Sequence, residues 1–288
     1  MAENIVTPGE KAEERWNFLD RGEEPEEIED RVYMEEIKLE LERATGMEAP
    51  EVRFMEYSDS DQLLYDSMVN TLKMMGIDDK ETGSWSPPLG KIWGKARNLK
   101  MRFMSDRTLG LAKIDERHID EIVSEGEIKV GIAADNIEKY CEDPKMGKRY
   151  TMTHEAVHGL QFYNFPGIIR ERVLMKNYPF NRDLRRRAEA TSYITEGHAK
   201  FFTDRIFEEK FGGKPERKKG KIRKAVHSAG KKVFDVTDEE YEVGNRFIDE
   251  IHSRGGLELV MRAWEKRPDT VREVREPERW ISRVRSDG

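Results

Sequence analysis

Thr153-His154-Glu155-Ala156-Val157-His158-Gly159 is the stretch on which the reading of this chain turns. Its His-Glu-x-x-His pattern falls in a segment of helical character that runs from about Lys148, just after Gly147, to Tyr163 and is stopped by Pro166. Residues four apart stand one above the other on a helix, so His154 and His158 can offer their imidazoles to one cation. Glu155 is about a hundred degrees round from His154, beside such an ion rather than on it. From there it can take a proton from an attacking water and later hand it to a leaving group. Met152, Ala156, Val157 and Leu160 give the helix an apolar back to bury.

A catalytic zinc normally takes three protein ligands and keeps one position open. One extended form of the motif places Gly and a third His three and six residues after the second histidine; Gln161 and Asn164 stand there, so that arrangement is excluded. The remaining route is a carboxylate from a later helix. Tyr193-Ile-Thr-Glu196-Gly197-His198-Ala199 supplies one, 38 residues beyond His158. Gly197 and Ala199 are small, as a helix packed tightly under the metal helix requires. Glu189 lies seven residues earlier, two turns away on almost the same face. Glu196 is the preferred ligand, and Glu189 is the alternative ligand or a group that orients a histidine from behind. His198 points elsewhere and reads as an ordinary polar residue.

Working outward, the 288 residues carry 51 Lys+Arg against 58 Asp+Glu, a net charge of −7. Charged residues make up 38% and hydrophobic ones 36%, which describes a water-facing surface laced with ion pairs around a modest core. The longest apolar stretch, near Val130–Ala134, is far too short to cross a bilayer. The first residues lack the basic head and apolar run of a secretory signal. A single cysteine, Cys141, excludes an internal disulfide and a cysteine-based metal cluster, and the expected compartment is a reducing cytoplasm.

Three regions are expected: an acidic helical arm over residues 1–50, a catalytic core over 51–212 and a helical lobe over 213–288. The first fifty residues hold 16 acidic and 6 basic side chains. Pro25 opens a helix there and Gly46 closes it, with Ile28, Val32, Tyr33, Ile37 and Leu41 as one apolar stripe. Strands are expected at Val52–Tyr57, Leu109–Asp115 and Ile128–Ala134, with a helix around Leu63–Met75 and a loop at Pro87–Gly90. Thr237-x-x-Glu240 forms a capping box whose helix should end at Gly255-Gly256. The fold class is therefore α+β, mainly helical, with a small mixed sheet ahead of the metal helix and a helical C-terminal lobe.

His154-Glu155-x-x-His158 followed by Glu196-Gly-His-Ala resembles the gluzincin group of zinc metallopeptidases, the thermolysin-like set with two His and one Glu. The looser pattern Tyr241-x-x-Gly244-x-x-Phe247, with the Asp269–Pro277 stretch, is similar to the tails of bacterial and archaeal gluzincin-like proteins. The resemblance spans roughly residues 105–280. It implies one Zn2+ held by His154, His158 and Glu196, with Glu155 as general base in peptide-bond hydrolysis. It also implies that a peptide or protein substrate adds to an edge strand formed by Lys129, Val130, Gly131, Ile132, Ala133 and Ala134. Members of the group often carry an acidic residue four positions after the metal-binding Glu, but here that place is Lys200. They also carry a Tyr or His that steadies the oxyanion. Tyr241 is favoured for that role over His252, His227 and Tyr193, because it opens a helix in the lobe that should face the cleft.

Two further readings belong to other classes. The chain could hold metal without cutting peptides and serve as an interaction scaffold through its acidic arm and the basic run at 210–232. Nucleic-acid binding through residues 214–232 of that run and Arg185-Arg186-Arg187 is disfavoured, since interleaved aromatics and a reader motif are both missing.

Overall fold

The computed structural model describes residues 25–57, 110–113, 127–168, 181–216, 218 and 236–286. The helix around Leu63–Met75, the Pro87–Gly90 loop, His227 and most of the basic run lie outside the described residues. The fold is mainly helical.

Helix α1, Pro25–Thr45, starts at its proline and stops at Gly46, whose φ of +69° is the left-handed geometry that glycine adopts without a Cβ penalty. Tyr33, Met34, Ile37 and Leu41 are its buried apolar residues among those described, whereas Val32 is 37% exposed and falls off the expected stripe. Strands β1 (Glu51–Tyr57), β2 (Gly110–Lys113) and β3 (Glu127–Ala133) follow. They hydrogen-bond in the order β1-β3-β2, β1 parallel and β2 antiparallel to β3.

That order overturns the expected substrate strand. Lys129–Ile132 is paired on one side with β1 and on the other with β2, so its backbone has no open edge for a peptide. Ala133 is still paired with Tyr57, and Ala134 is the first residue of helix α2, Ala134–Tyr140. Neither strand neighbour is close in sequence to β3, and a strand's place in a sheet depends on such distant partners.

Helix α3, Pro144–Asn164, carries the histidine motif. It begins a turn earlier than the sequence suggests: Asp143 caps it by accepting from the Met146 amide at 3.0 Å, and Pro144 takes the first position, where its missing N–H costs nothing. Gly147 is inside the helix and serves packing, because a Cβ there would stand 2.5 Å from Cys141 Sγ. From Thr151 to Phe162 all but one residue of α3 are buried, which makes it the central helix of the molecule.

Helix α4, Arg182–Phe211, is capped by Asn181, which accepts from the Leu184 amide at 3.0 Å, and ends at Gly212 with φ +73°. Helix α5, Val236–Glu265, breaks at Gly256 (φ 60°, ψ −153°) and then resumes, where the sequence suggested a stop. Thr237 falls within its first turn. Two short helices finish the chain, α6 (Val271–Arg275) and α7 (Pro277–Ser286). Among the described residues, one apolar core takes side chains from each of helices α1 to α7 and from β3, so α1 and the C-terminal helices share it with α3. Among the described residues no helix is long and apolar enough to cross a membrane.

Candidate metal centre

Three helices meet at the histidine motif. Helix α3 contributes His154, Glu155 and His158, α4 contributes Glu196, and α5 contributes Tyr241. His158 Nε2 is 3.3 Å and His154 Nε2 3.8 Å from the same Glu196 oxygen, Oε2. One ligand atom from each of the three residues lies within 4.8 Å of the others. The two imidazole rings are edge to face, with centroids 4.8 Å apart. The side chains are only 12% (His154), 9% (His158) and 19% (Glu196) exposed.

The residues fit a divalent ion. Glu196 Oε2 is buried without a well-formed hydrogen bond and faces the two imidazole nitrogens, an arrangement that one cation set between the three side chains would satisfy. A tetrahedral ion with bonds of about 2.0–2.2 Å needs ligand atoms about 3.3–3.6 Å apart, and the two nitrogen-to-oxygen distances bracket that spacing. Two imidazoles and a carboxylate also form a donor set that suits zinc.

Charge is concentrated here. Burial opposes protonation of His158, but the Glu196 carboxylate, with Glu155 and Gln161 assisting, outweighs it and pushes the pKa up to about 9. Burial would raise the pKa of Glu196, yet the two imidazoles hold it well below the usual carboxylate range. Glu155 is 7% exposed and near enough for its charge to act on both His158 and Tyr241.

Tyr241 reaches the centre through a close helix crossing. A Cβ on Gly197 would stand 2.0 Å from the carbonyl carbon of Gly244, and one on Gly244 would stand 1.9 Å from the Tyr193 oxygen. The small residue after Glu196 thus admits α5; it was expected to admit the metal helix. Tyr241, three residues before Gly244, lies with its ring centroid 5.7 Å from that of His154. Its hydroxyl is within hydrogen-bonding reach of Glu196, whose charge, followed by burial and Glu155, raises the phenol pKa well above 10.

The other candidates lie elsewhere. Glu189 is exposed on α4 and outside the cluster, which corrects its place as alternative ligand or orienting group. Tyr193 is buried and pairs with Arg275. His252 sits 3.3 Å from Arg205 Nη1 and against Phe201. Lys200, where the gluzincin pattern has an acid, pairs with Asp204 at 2.6 Å.

Behind His158 stands a residue the sequence reading missed. Gln161 Oε1 is 3.0 Å from His158 Nδ1, while Gln161 Nε2 is 3.0 Å from the Thr195 carbonyl oxygen and 3.0 Å from His198 Nδ1. His198 is fully buried against Phe202 and Trp264, and burial followed by the charge on His158 pulls its pKa down to about 3. The available signal was helical spacing: a residue three after a ligand shares its face.

No family model matches the chain, and no curated protein matches it. Among solved structures it is similar to a "putative hydrolase with a novel fold" from Chloroflexus aurantiacus. That similarity has a TM-score of 0.56 at 16% identity and covers 98% of this chain and 100% of that one. At this identity the likeness is one of fold.

Proposed function

We propose that the protein is a metal-dependent hydrolase, and specifically a zinc peptidase in which His154, His158 and Glu196 hold the ion. The observation that carries this reading is the convergence of the buried Glu196 Oε2 and the two imidazole nitrogens on one small space. Zn2+ bound there supplies Lewis acidity toward a carbonyl and brings the pKa of water toward neutrality.

The chain's own residues perform the proton work. Glu155, next to His154 and on the same helix, accepts the proton of the attacking water and then delivers it to the departing amine nitrogen. Tyr241, whose ring lies beside His154, donates its hydroxyl to the oxygen that becomes negative as the carbonyl carbon turns tetrahedral. The ligands sit on two long, packed helices, which hold the geometry more rigidly than loops would. The hydrolase description of the structural neighbour supports the general class, and the peptide substrate follows from the gluzincin-like motif.

The test is Glu155→Gln. It should leave bound metal at one ion per chain, measured by elemental analysis, and abolish chelator-sensitive cleavage of a peptide library. Equal cleavage by wild type and variant would remove Glu155 from the mechanism. One zinc per chain with no chelator-sensitive cleavage in the wild type would favour the scaffold instead.

A further inference from the structure

We infer that Gln161 is a positioning residue: it forces the Nδ1 proton onto His158 and thereby reserves His158 Nε2 for the metal. This inference rests on the metal-centre reading above and adds the group that orients one ligand.

The amide of Gln161 is held on three sides, and only one orientation satisfies all three. A backbone carbonyl oxygen can only accept, so the NH2 end must face Thr195 O, 3.0 Å away. The second amide hydrogen then points at His198 Nδ1, also 3.0 Å away, which must accept it. Turning the amide over would set Oε1 against the Thr195 carbonyl, two acceptors face to face. Thr195 and His198 are fully buried, so water cannot relieve that clash.

The locked orientation leaves Oε1 against His158 Nδ1 at 3.0 Å. An amide oxygen donates nothing, so the proton of this contact belongs to the imidazole. A neutral imidazole with its proton on Nδ1 has its lone pair on Nε2, the atom 3.3 Å from Glu196 Oε2. Gln161 is 0% exposed, so no solvent competes for the contact.

An amide suits this position better than the carboxylate common behind metal-bound histidines. Glu155 and Glu196 already place two negative charges in a largely buried site, and a third would raise the desolvation cost. A carboxylate would also offer the Thr195 carbonyl no hydrogen. The neutral amide orients the ring and satisfies the backbone of α4 at once, tying the two ligand-bearing helices together behind the ion.

Two variants of the full chain separate orientation from space filling. Gln161→Met keeps length and volume without hydrogen bonds; Gln161→Glu keeps an acceptor at His158 but loses the donor to Thr195. Zn2+ affinity, read by competition with a chromophoric chelator, should fall about 10- to 100-fold in Gln161→Met. In Gln161→Glu it should stay within several-fold of wild type even though the protein is less stable to urea. Nitrogen-15 NMR of histidine-labelled protein should show a slowly exchanging His158 Nδ1 proton in wild type and Gln161→Glu, lost in Gln161→Met. Unchanged affinity and an unchanged Nδ1 proton in Gln161→Met would overturn the inference. If Gln161→Met fails to fold, a wild-type His158 lacking the protected Nδ1 proton would overturn it on its own. A wild type that binds no zinc but keeps that proton would sink the metal-centre reading and leave the role of Gln161 in orienting His158 standing.

Discussion

His158 and Glu196 form a buried ion pair when no metal is present, and its pH dependence has a definite sign. A histidine raised from 6.5 to about 9 stabilises the fold fully below pH 6.5 and loses that contribution as pH rises through about 9. A carboxylate held below its ordinary value stabilises the fold above the ordinary carboxylate pKa, and that contribution disappears as pH falls through the depressed one. Chelator-treated protein should therefore be most stable between about pH 5 and 6.5 and lose up to about 3 kcal/mol by pH 9. Urea titrations across that range check it, and zinc-loaded protein should show a flat alkaline limb because the ion takes the proton's place. Tyr241→Phe removes only a hydroxyl: the proposed mechanism expects kcat to fall about a hundredfold or more with metal content unchanged. Unaltered turnover would dismiss the phenol as oxyanion donor.

At the scale of elements, the crossing of α4 and α5 decides whether Tyr241 meets Glu196. Both Gly197 and Gly244 would drive a Cβ to within 2.0 Å of the opposite backbone, and backbone cannot swing aside as a flexible side chain does. Gly197→Ala should cost about 3 kcal/mol or more in urea unfolding. Gly167→Ala is the matching control, because nothing lies within 4 Å of its added Cβ. The same crossing shows how far the sequence could be read. The spacing of His154 and His158 and the small residue beside Glu196 are local properties, and both are visible in a string of letters. The partner for which Gly197 makes room is 47 positions away, at Gly244. The role of Gln161 depends on Thr195 and His198, which are 34 and 37 positions away. Glu189 shares the face of Glu196 by counting turns, yet it lies in the exposed early part of α4. The interior role of β3 required knowing that β1 and β2 flank it.

For the whole molecule, the question is whether the acidic N-terminal helix and the C-terminal helices are appendages or parts of one folding unit. Charge links α1 to α3: Glu29 meets Lys145 at 2.6 Å and Arg149 at 2.8 Å, and Asp30 meets Lys148 at 2.7 Å. These pairs are partly exposed, so each contributes no more than about 1 kcal/mol and weakens in salt. Burial is the larger effect. Ile37 of α1 and Trp280 of α7 are both 0% exposed, and they belong to one continuous apolar core around α3, with Tyr33 bonded to Thr153 at 2.7 Å beside His154. Ile37→Ala should cost about 2–5 kcal/mol and Trp280→Ala about 3–5 kcal/mol, large fractions of the 5–15 kcal/mol typical of a folded domain. In a single unit either change lowers one shared midpoint. Circular dichroism and tryptophan fluorescence would then trace the same transition, and amide exchange would quicken in α4 and α5 as much as near the mutation. Separate units would respond differently: Ile37→Ala would loosen α1 alone and leave exchange around Trp280 at its wild-type rate. With Tyr33 and Ile37 packed into the same core as the metal helix, a loosened α1 would also uncover α3 beside His154, so metal affinity should fall together with the midpoint in Ile37→Ala.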